Sequence, residues 1–348
     1  MSEPASTAMA RETAEAPAAV ARQLAAASPA LARLGERLRA DPPPVVITCA
    51  RGSSDHAAGY LKYLVEIVLG VPCCSMGASV VSVYDAPLKV KHALFITISQ
   101  SGRSPDILAL QAAAKKAGAF TAAFVNDETS PAAAEADLCV PLSAGAETSV
   151  AATKSFVASL AAAAQLVARW SGDAGLLAAV QRLPETLARQ AGAPGADRWG
   201  EAAAALAQAQ SLYVLGRGPT LPIAFEAALK LKETCALHAE AFSAAEVMHG
   251  PLELVDEAFP VLALSAQDRS REGFLGALGR LRAQGAALMA VEAGPDAPGR
   301  LPYSDPGHPL LEPVAMIQAF YRCAEQVARL RGRDPDRPRS LKKVTETV

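Results

Sequence analysis

The chain has no excess of either charge and no basic run: 33 Lys and Arg stand against 35 Asp and Glu, a formal net charge of −2. Nucleic-acid binding needs a concentrated positive surface that displaces counterions from phosphates, so that class of partner is not expected. Cysteine is scarce, six in 348 residues. Cys49, Cys73, Cys74, Cys139, Cys235 and Cys323 do not fall at metal-ligand spacings, and neighbours such as Cys73 and Cys74 are poorly placed to bridge each other. Reduced, mostly buried thiols are expected. A long apolar run is also missing. The most apolar stretch, SFVASLAAAAQLVARW (155–170), is dominated by alanine and interrupted by Gln165 and Arg169, which falls short of a membrane span. The N-terminus carries Glu3, Glu12 and Glu15 without the continuous apolar core of a signal peptide. A cytoplasmic protein without a membrane segment is expected, and 51% hydrophobic content over 348 residues is enough for two cores.

What is present begins with FITISQSGRSPDIL (95–108). Phe95 to Ile98 is apolar and β-branched, as a buried strand is. Ser99, Gln100, Ser101, Gly102 and Ser104 form a polar turn, and a helix is predicted from Pro105. A helix start beside a strand end favours an anion, because free first-turn N–H groups and the helix dipole point at it, and serine hydroxyls add hydrogen bonds without charge. The turn is expected to bind phosphate. The bland alternative is a helix cap, which accounts for one hydroxyl but not for the cluster.

The chain also repeats itself. VVITCARGSSDHAA (45–58) is echoed by SLYVLGRGPTLPIA (211–224), and FITIS by VLALS; Gly218 follows Gly52, and Ser265 follows Ser99, at one shared offset of 166 residues. A common offset predicts two copies of one fold. Within each copy short apolar strands alternate with longer helical patterns, which predicts an α/β fold with parallel sheets covered by helices and a ligand site beyond the carboxyl ends of the strands. The division read from the sequence is a helical segment over 1–40, a first domain over 41–190, a second over 198–330 and a C-terminal tail over 331–348, with a linker near RQAGAPGADRWG (189–200). In the second copy SQSGRS becomes SAQDRS (265–270). Asp268 would repel phosphate there, so one phosphate site per chain is expected, in the first copy.

Acid–base residues gather in FEAALKLKETCALHAEAFSAAEVMHGP (225–251), which reads as helical at least to its middle. Lys230 and Glu233 are three apart and share a helix face, with Glu226 one turn before Lys230. They are either a surface ion pair or, given the apolar neighbours Ala227, Ala228, Leu229 and Leu231, a buried carboxylate tuned by a lysine to carry protons. His249 precedes Gly-Pro, which leaves its imidazole in a loop where it is either solvated or moves protons near neutral pH. His56 and His238 are weaker candidates inside predicted helices. The chain end PRSLKKVTETV is apolar enough at Leu341 and Val344 to dock and carry Lys342 or Lys343 to a site; otherwise it is a frayed basic tail.

On these residues the chain from about Met9 onward resembles the SIS-domain sugar isomerases, in particular the isomerase half of glucosamine-6-phosphate synthase and the stand-alone glucosamine-6-phosphate deaminases. SQSGRSPD is similar to that family's phosphate loop, EAALKLKE, HAEAF and HGPLEL to its second-domain active-site run, DRPRSLKKVT to its tail, and MARETAEAP to the start of that half. The resemblance implies two tandem SIS domains, each a parallel sheet flanked by helices in a flavodoxin-like three-layer sandwich. It implies phosphate held by Ser99, Gln100, Ser101 and Ser104, with Ser54 near the sugar. Glu233 would match the C1–C2 proton shuttle, Lys230 its polar partner, His249 the ring-opening residue supplied by a neighbouring subunit, and Lys343 the tail lysine that closes over the sugar.

A homodimer with a shared active site follows from the resemblance, as does catalysis without metal or organic cofactor. Ala152, Arg103, Ser104 and Met248 depart from the synthase pattern, which has serine, an acidic residue, threonine and lysine there; none of these changes removes a proton carrier. The synthase's glutaminase domain and nucleophilic cysteine have no counterpart in this sequence, so the chain is not expected to draw ammonia from glutamine by itself. The activity implied is conversion of glucosamine 6-phosphate to fructose 6-phosphate and ammonia. The same residues would serve an aldose–ketose phosphosugar isomerase or a fructosamine-phosphate deglycase, and a non-catalytic sugar-phosphate sensor is the alternative of another class.

Overall fold

The computed structural model describes residues 6–190, 195, 197–294, 297–341 and 343. The chain opens with α1 (Ala8–Ala14) and α2 (Ala16–Ala40), then continues β1 (Val46–Cys49), α3 (Ser53–Leu69), β2 (Cys73–Ser75), α4 (Ser79–Ser82), β3 (Leu94–Ser99), α5 (Pro105–Lys116), β4 (Phe120–Val125), α6 (Pro131–Glu135), β5 (Leu138–Pro141), α7 (Lys154–Ser171) and α8 (Ala174–Arg189). After it come α9 (Arg198–Gln208), β6 (Ser211–Gly216), α10 (Leu221–Cys235), β7 (His238–Ser243), β8 (Pro260–Ser265), α11 (Arg271–Ala283), β9 (Ala287–Glu292), β10 (Arg300–Leu301) and α12 (Glu312–Leu330). Two compact units result. One gathers Ala18–Glu147 and Lys154–Leu183; the other gathers the described residues up to Pro17, Thr148–Thr153 and those of Pro184–Lys343. Of the linker expected over 189–200, residues 191–194 and 196 lie outside the described residues.

The first unit holds a parallel sheet in the order β2-β1-β3-β4-β5. Every residue of β1 and β3 is buried, as central parallel strands covered on both faces must be, and this explains their unbroken apolar sequence. Val46 to Cys49 pair with Leu94 to Thr97. Chain direction reverses between β1 and β3: from β1 the chain crosses to β2 on one side, and from β3 it runs to β4 and β5 on the other. The loops after β1 and β3 therefore leave the carboxyl ends of adjacent strands at the topological switch point, where open α/β sheets bind ligands.

Alanine lets α7 sit deep in this unit against α3. The two polar residues that interrupt its apolar pattern have partners. Gln23 Nε2 donates to Gln165 Oε1 at 3.2 Å, and Arg169 Nη2 donates to Ser28 Oγ at 2.6 Å. Among the described residues no helix is long and apolar enough to cross a membrane.

The second unit repeats the topology, with sheet order β10-β9-β8-β6-β7 and its switch point between β6 and β8. Its core joins Tyr213, Leu215, Val261, Ala263, Phe274 and Leu281. In the loop after β8, Asp268 Oδ1 accepts from the Ser270 backbone N–H at 2.8 Å and its hydroxyl at 2.6 Å, so the carboxylate takes up donors that an anion would otherwise use.

One expectation is corrected here. His238 is not in a helix: α10 stops at Cys235, Ala236 adopts a left-handed φ of 48°, and His238 starts β7 opposite Ser211. The pattern turns at that point from helical to alternating, with His238 and Glu240 exposed on either side of buried Ala239, the period of a strand.

The cysteines are all free thiols. Burial pushes Cys49 and Cys73 up to about 12, which keeps them protonated and unreactive.

Candidate active site

In the first unit the serine-rich turn joins the end of β3 to α5. Ser99 is buried and its Oγ accepts the Gly102 N–H at 3.0 Å, which folds the turn back on itself. Gly102 has φ +62°, and a Cβ there would lie 2.3 Å from Ser130 Oγ and 2.7 Å from Ser130 Cβ. Only glycine fits this position. Gln100, Ser101 and Ser104 are half-buried. Ser104 stands at the N-cap of α5 and makes no side-chain capping bond, so its hydroxyl is not consumed by the role that the bland reading assigned to it. Pro105 occupies the first turn, where its missing N–H costs nothing.

Ser54 lies in the first turn of α3, after Gly52. The two loops are tied together by residues that sequence reasoning did not single out. Arg51 Nε donates to Asp106 Oδ2 at 2.9 Å, and Asp106 Oδ1 accepts the Ile107 N–H at 2.8 Å. Asp106 is 1% exposed, and a lone carboxylate at a helix start would repel phosphate; the guanidinium neutralises it while staying half in solvent. Arg103, which departs from the family pattern, is engaged by Asp127 at 2.8 Å. The Thr129 hydroxyl and Arg103 hold the Asp127 carboxyl down at about 2.

In the second unit, α10 brings Lys230 and Glu233 together. Lys230 Nζ donates to Glu233 Oε2 at 2.5 Å and lies 3.5 Å from Glu226 Oε1. Lys230 and Glu226 are fully buried, whereas the Glu233 side chain is 23% exposed. A surface ion pair does not bury its lysine; here the lysine and Glu226 are buried and Glu233 is partly exposed. Tyr321 of α12 donates its hydroxyl to Glu226 Oε1 at 3.1 Å. Glu233 opens on a cleft of about 590 Å³ between the end of α10 and the C-terminal segment, lined also by Lys232, Thr234, Arg333, Arg337 and Leu341. His249 closes a short 3-10 turn, Glu246–His249, and is exposed.

The C-terminal segment of this unit is anchored by polar contacts rather than by the apolar docking expected of Leu341, which remains 43% exposed. Lys343 Nζ donates to the Ser149 carbonyl at 2.7 Å. The other side of the same short segment is held by buried Glu12, whose Oε1 accepts the Thr148 hydroxyl at 2.9 Å and whose Oε2 accepts the Ser149 N–H at 3.2 Å. Asp336 in turn caps α1, accepting the Ala8 and Met9 N–H groups at 2.6 and 2.8 Å. Lys342 and Val344 lie outside the described residues. His56 sits half-buried in α3. Among the described residues no group of three or more His, Cys, Asp or Glu is placed to hold a metal ion.

With this geometry in view, comparison with known proteins is informative. The family model of the SIS domain matches residues 44–169 and again 205–298. A glutamine–fructose-6-phosphate aminotransferase (isomerizing) of Symbiobacterium thermophilum is 34% identical over 313 residues, 86% of this chain and 51% of that protein; the chain thus spans about half the length of the curated relatives it matches. A Silicibacter pomeroyi DSS-3 protein assigned as a phosphosugar isomerase is 44% identical, with a TM-score of 0.88 over 95% of this chain and 100% of its own. The C-terminal domain of the glucosamine-fructose-6-phosphate aminotransferase of Francisella tularensis is 28% identical, with a TM-score of 0.83 over 95% of this chain and 98% of its own.

Proposed function

The chain belongs to the SIS-domain family, and from that premise we propose that it is an acid–base enzyme acting on an amino-sugar phosphate, releasing ammonia from glucosamine 6-phosphate to leave fructose 6-phosphate. One observation carries this reading: a fully buried ammonium, Lys230, lies 2.5 Å from the partly exposed carboxylate of Glu233. A carboxylate so held is oriented and able to reach solvent-borne substrate, which is what a proton shuttle requires. The relatives that carry fructose 6-phosphate and amine transfer in their names supply the substrate class.

In the proposed reaction Ser99, Gln100, Ser101 and Ser104 bind the phosphate through neutral hydroxyls, amides and backbone N–H groups, and Ser54 contacts the sugar. His249 opens the pyranose to the aldehyde. Its exposure suits a residue offered to a second copy of the chain, so a homodimer belongs to the proposal. Glu233 takes the proton from C2 as the C1 oxygen gains one, giving the enolamine. Return of the proton to C1 produces the imine at C2, and water then adds, with ammonia leaving and a ketone remaining. The lysine ammonium of Lys230 keeps the carboxylate turned toward this task, and Lys343 closes the tail over the sugar.

General acid–base transfer of this kind contributes about 10²- to 10⁴-fold. Glu233→Gln should therefore lower turnover by that order while fructose 6-phosphate still binds in a calorimetric titration; turnover within threefold of the parent would remove Glu233 from the mechanism. A second reading is the same C2-to-C1 proton transfer on a sugar with oxygen at C2, an aldose–ketose isomerisation. It is favoured by the 44% identity with the protein assigned as a phosphosugar isomerase, and it differs in releasing no ammonia.

A further inference from the structure

We infer that Arg51 is a phosphate ligand, a charged member of an otherwise neutral cradle. The inference rests on the reading of the serine turn as the phosphate site and adds to it a residue from a different loop.

Topology puts Arg51 where a ligand must lie. β1 ends at Cys49 and β3 at Ser99, and the two strands are neighbours at the point where chain direction across the sheet reverses. Ligands of open α/β sheets occupy the crevice between the loops that leave such a pair. Arg51 starts from the first of these loops and reaches the helix that follows the second. Its Nε donates to Asp106 Oδ2 at 2.9 Å, and its Nη2 donates to the same oxygen. The guanidinium therefore lies across the crevice, with its side chain 52% exposed.

Asp106 fixes where that charge stands. It is the second residue of α5, and its Oδ1 accepts the Ile107 N–H at 2.8 Å. The arginine is thus held beside the first turn of the helix, whose free N–H groups and dipole favour an anion. Both of its bonds go to one carboxylate oxygen, and among the described residues Nη1 has no acceptor. A guanidinium is a rigid fork with five N–H donors. Anchored along one edge by Asp106, it can meet phosphate oxygens with the donors that remain. Arg103, the cation within the turn itself, is drawn the other way, to Asp127 in the loop after β4.

The test uses the full-length protein, with fructose 6-phosphate binding read by calorimetry and kcat and KM by ammonia release from glucosamine 6-phosphate. A charge-assisted hydrogen bond to a ligand corresponds to about ten- to a hundredfold in affinity. Arg51→Met should weaken binding by that factor, and the loss should appear in KM rather than in kcat. Asp106→Asn, which keeps an acceptor oxygen for the guanidinium, separates this role from a mere tie between loops. If Arg51 served only Asp106, adding Arg51→Met to Asp106→Asn would change nothing further. A phosphate ligand is still missed there, and the double variant should bind at least about tenfold more weakly than Asp106→Asn alone.

Equal affinities of Asp106→Asn and the double variant overturn the inference. So does an Arg51→Met affinity within about threefold of the parent's; if Gly102→Ala loses binding in the same series, the serine turn stands as the phosphate site without Arg51. Parental binding by Gly102→Ala fails the reading beneath, and the inference with it. Should Arg51→Met not fold, Arg51→Lys carries the test. A lysine keeps the charge but cannot hold carboxylate and phosphate as a fork does, so binding should weaken about fivefold, and parental affinity overturns the inference.

Discussion

Replacing Lys230 with Met tests whether the buried cluster is built as described. The substitution keeps an unbranched side chain of similar length but deletes a cation that is 1% exposed, leaving Glu226 at 0% exposure with the Tyr321 hydroxyl but without its ammonium. Breaking a buried ion pair by removing one partner costs about 3–5 kcal/mol, because the survivor stays desolvated. Glu233 contributes little to that loss, since its side chain is 23% exposed and water can replace the lysine. Lys230→Met should therefore cost about 3–5 kcal/mol, and adding Glu226→Gln, which removes the buried charge that faced the ammonium, should recover at least about half of it.

Urea unfolding reads this directly. The sequence has two tryptophans; Trp199 belongs to the second unit, where its indole N–H donates to the Pro302 carbonyl at 2.8 Å, so fluorescence in a Trp170→Phe background follows the unit that holds the cluster. A loss below about 1 kcal/mol, or a double variant whose loss is the sum of the two single ones, would show that the lysine is solvated and the pair superficial.

Three further outcomes follow from the same structure. Gly102→Ala must place a side chain at φ +62° and 2.3 Å from Ser130 Oγ, costing about 1–2 kcal/mol for the left-handed backbone and about 1–3 kcal/mol for the overlap. Fructose 6-phosphate binding should be lost by calorimetry, and parental affinity would move the phosphate site elsewhere. Burial holds the Glu312 carboxyl above its ordinary value of 4.5, so the folded protein keeps a proton that the unfolded chain releases, and stability falls as pH rises from 4.5 into the raised range. Glu312→Gln should flatten the melting temperature against pH in that window, and an unchanged slope would contradict the assignment. His249→Ala should slow the cyclic substrate more than an open-chain analogue, and equal losses would exclude ring opening as its role.

The strands and the serine turn are legible in the sequence because central parallel strands require unbroken apolar runs, and the turn's Ser and Gly residues follow one directly. The pairing of Lys230 with Glu233 is legible for a similar reason: i,i+3 spacing is local geometry. What escapes is long-range. Arg51 sits in the loop after β1 and Asp106 in the first turn of α5, which follows β3, and only the adjacency of β1 and β3 brings them together. Tyr321 reaches Glu226 from another helix, and Glu12 reaches Ser149 across 137 residues of sequence. His238 shows a local failure, since the left-handed Ala236 breaks the helix at a residue whose side chain carries no signal for it.

The central claim is tested most directly by incubating the purified protein with glucosamine 6-phosphate and measuring ammonia and fructose 6-phosphate side by side. Equal amounts of both, lost together in Glu233→Gln, are predicted. Binding of the sugar phosphate without release of either product would contradict the account.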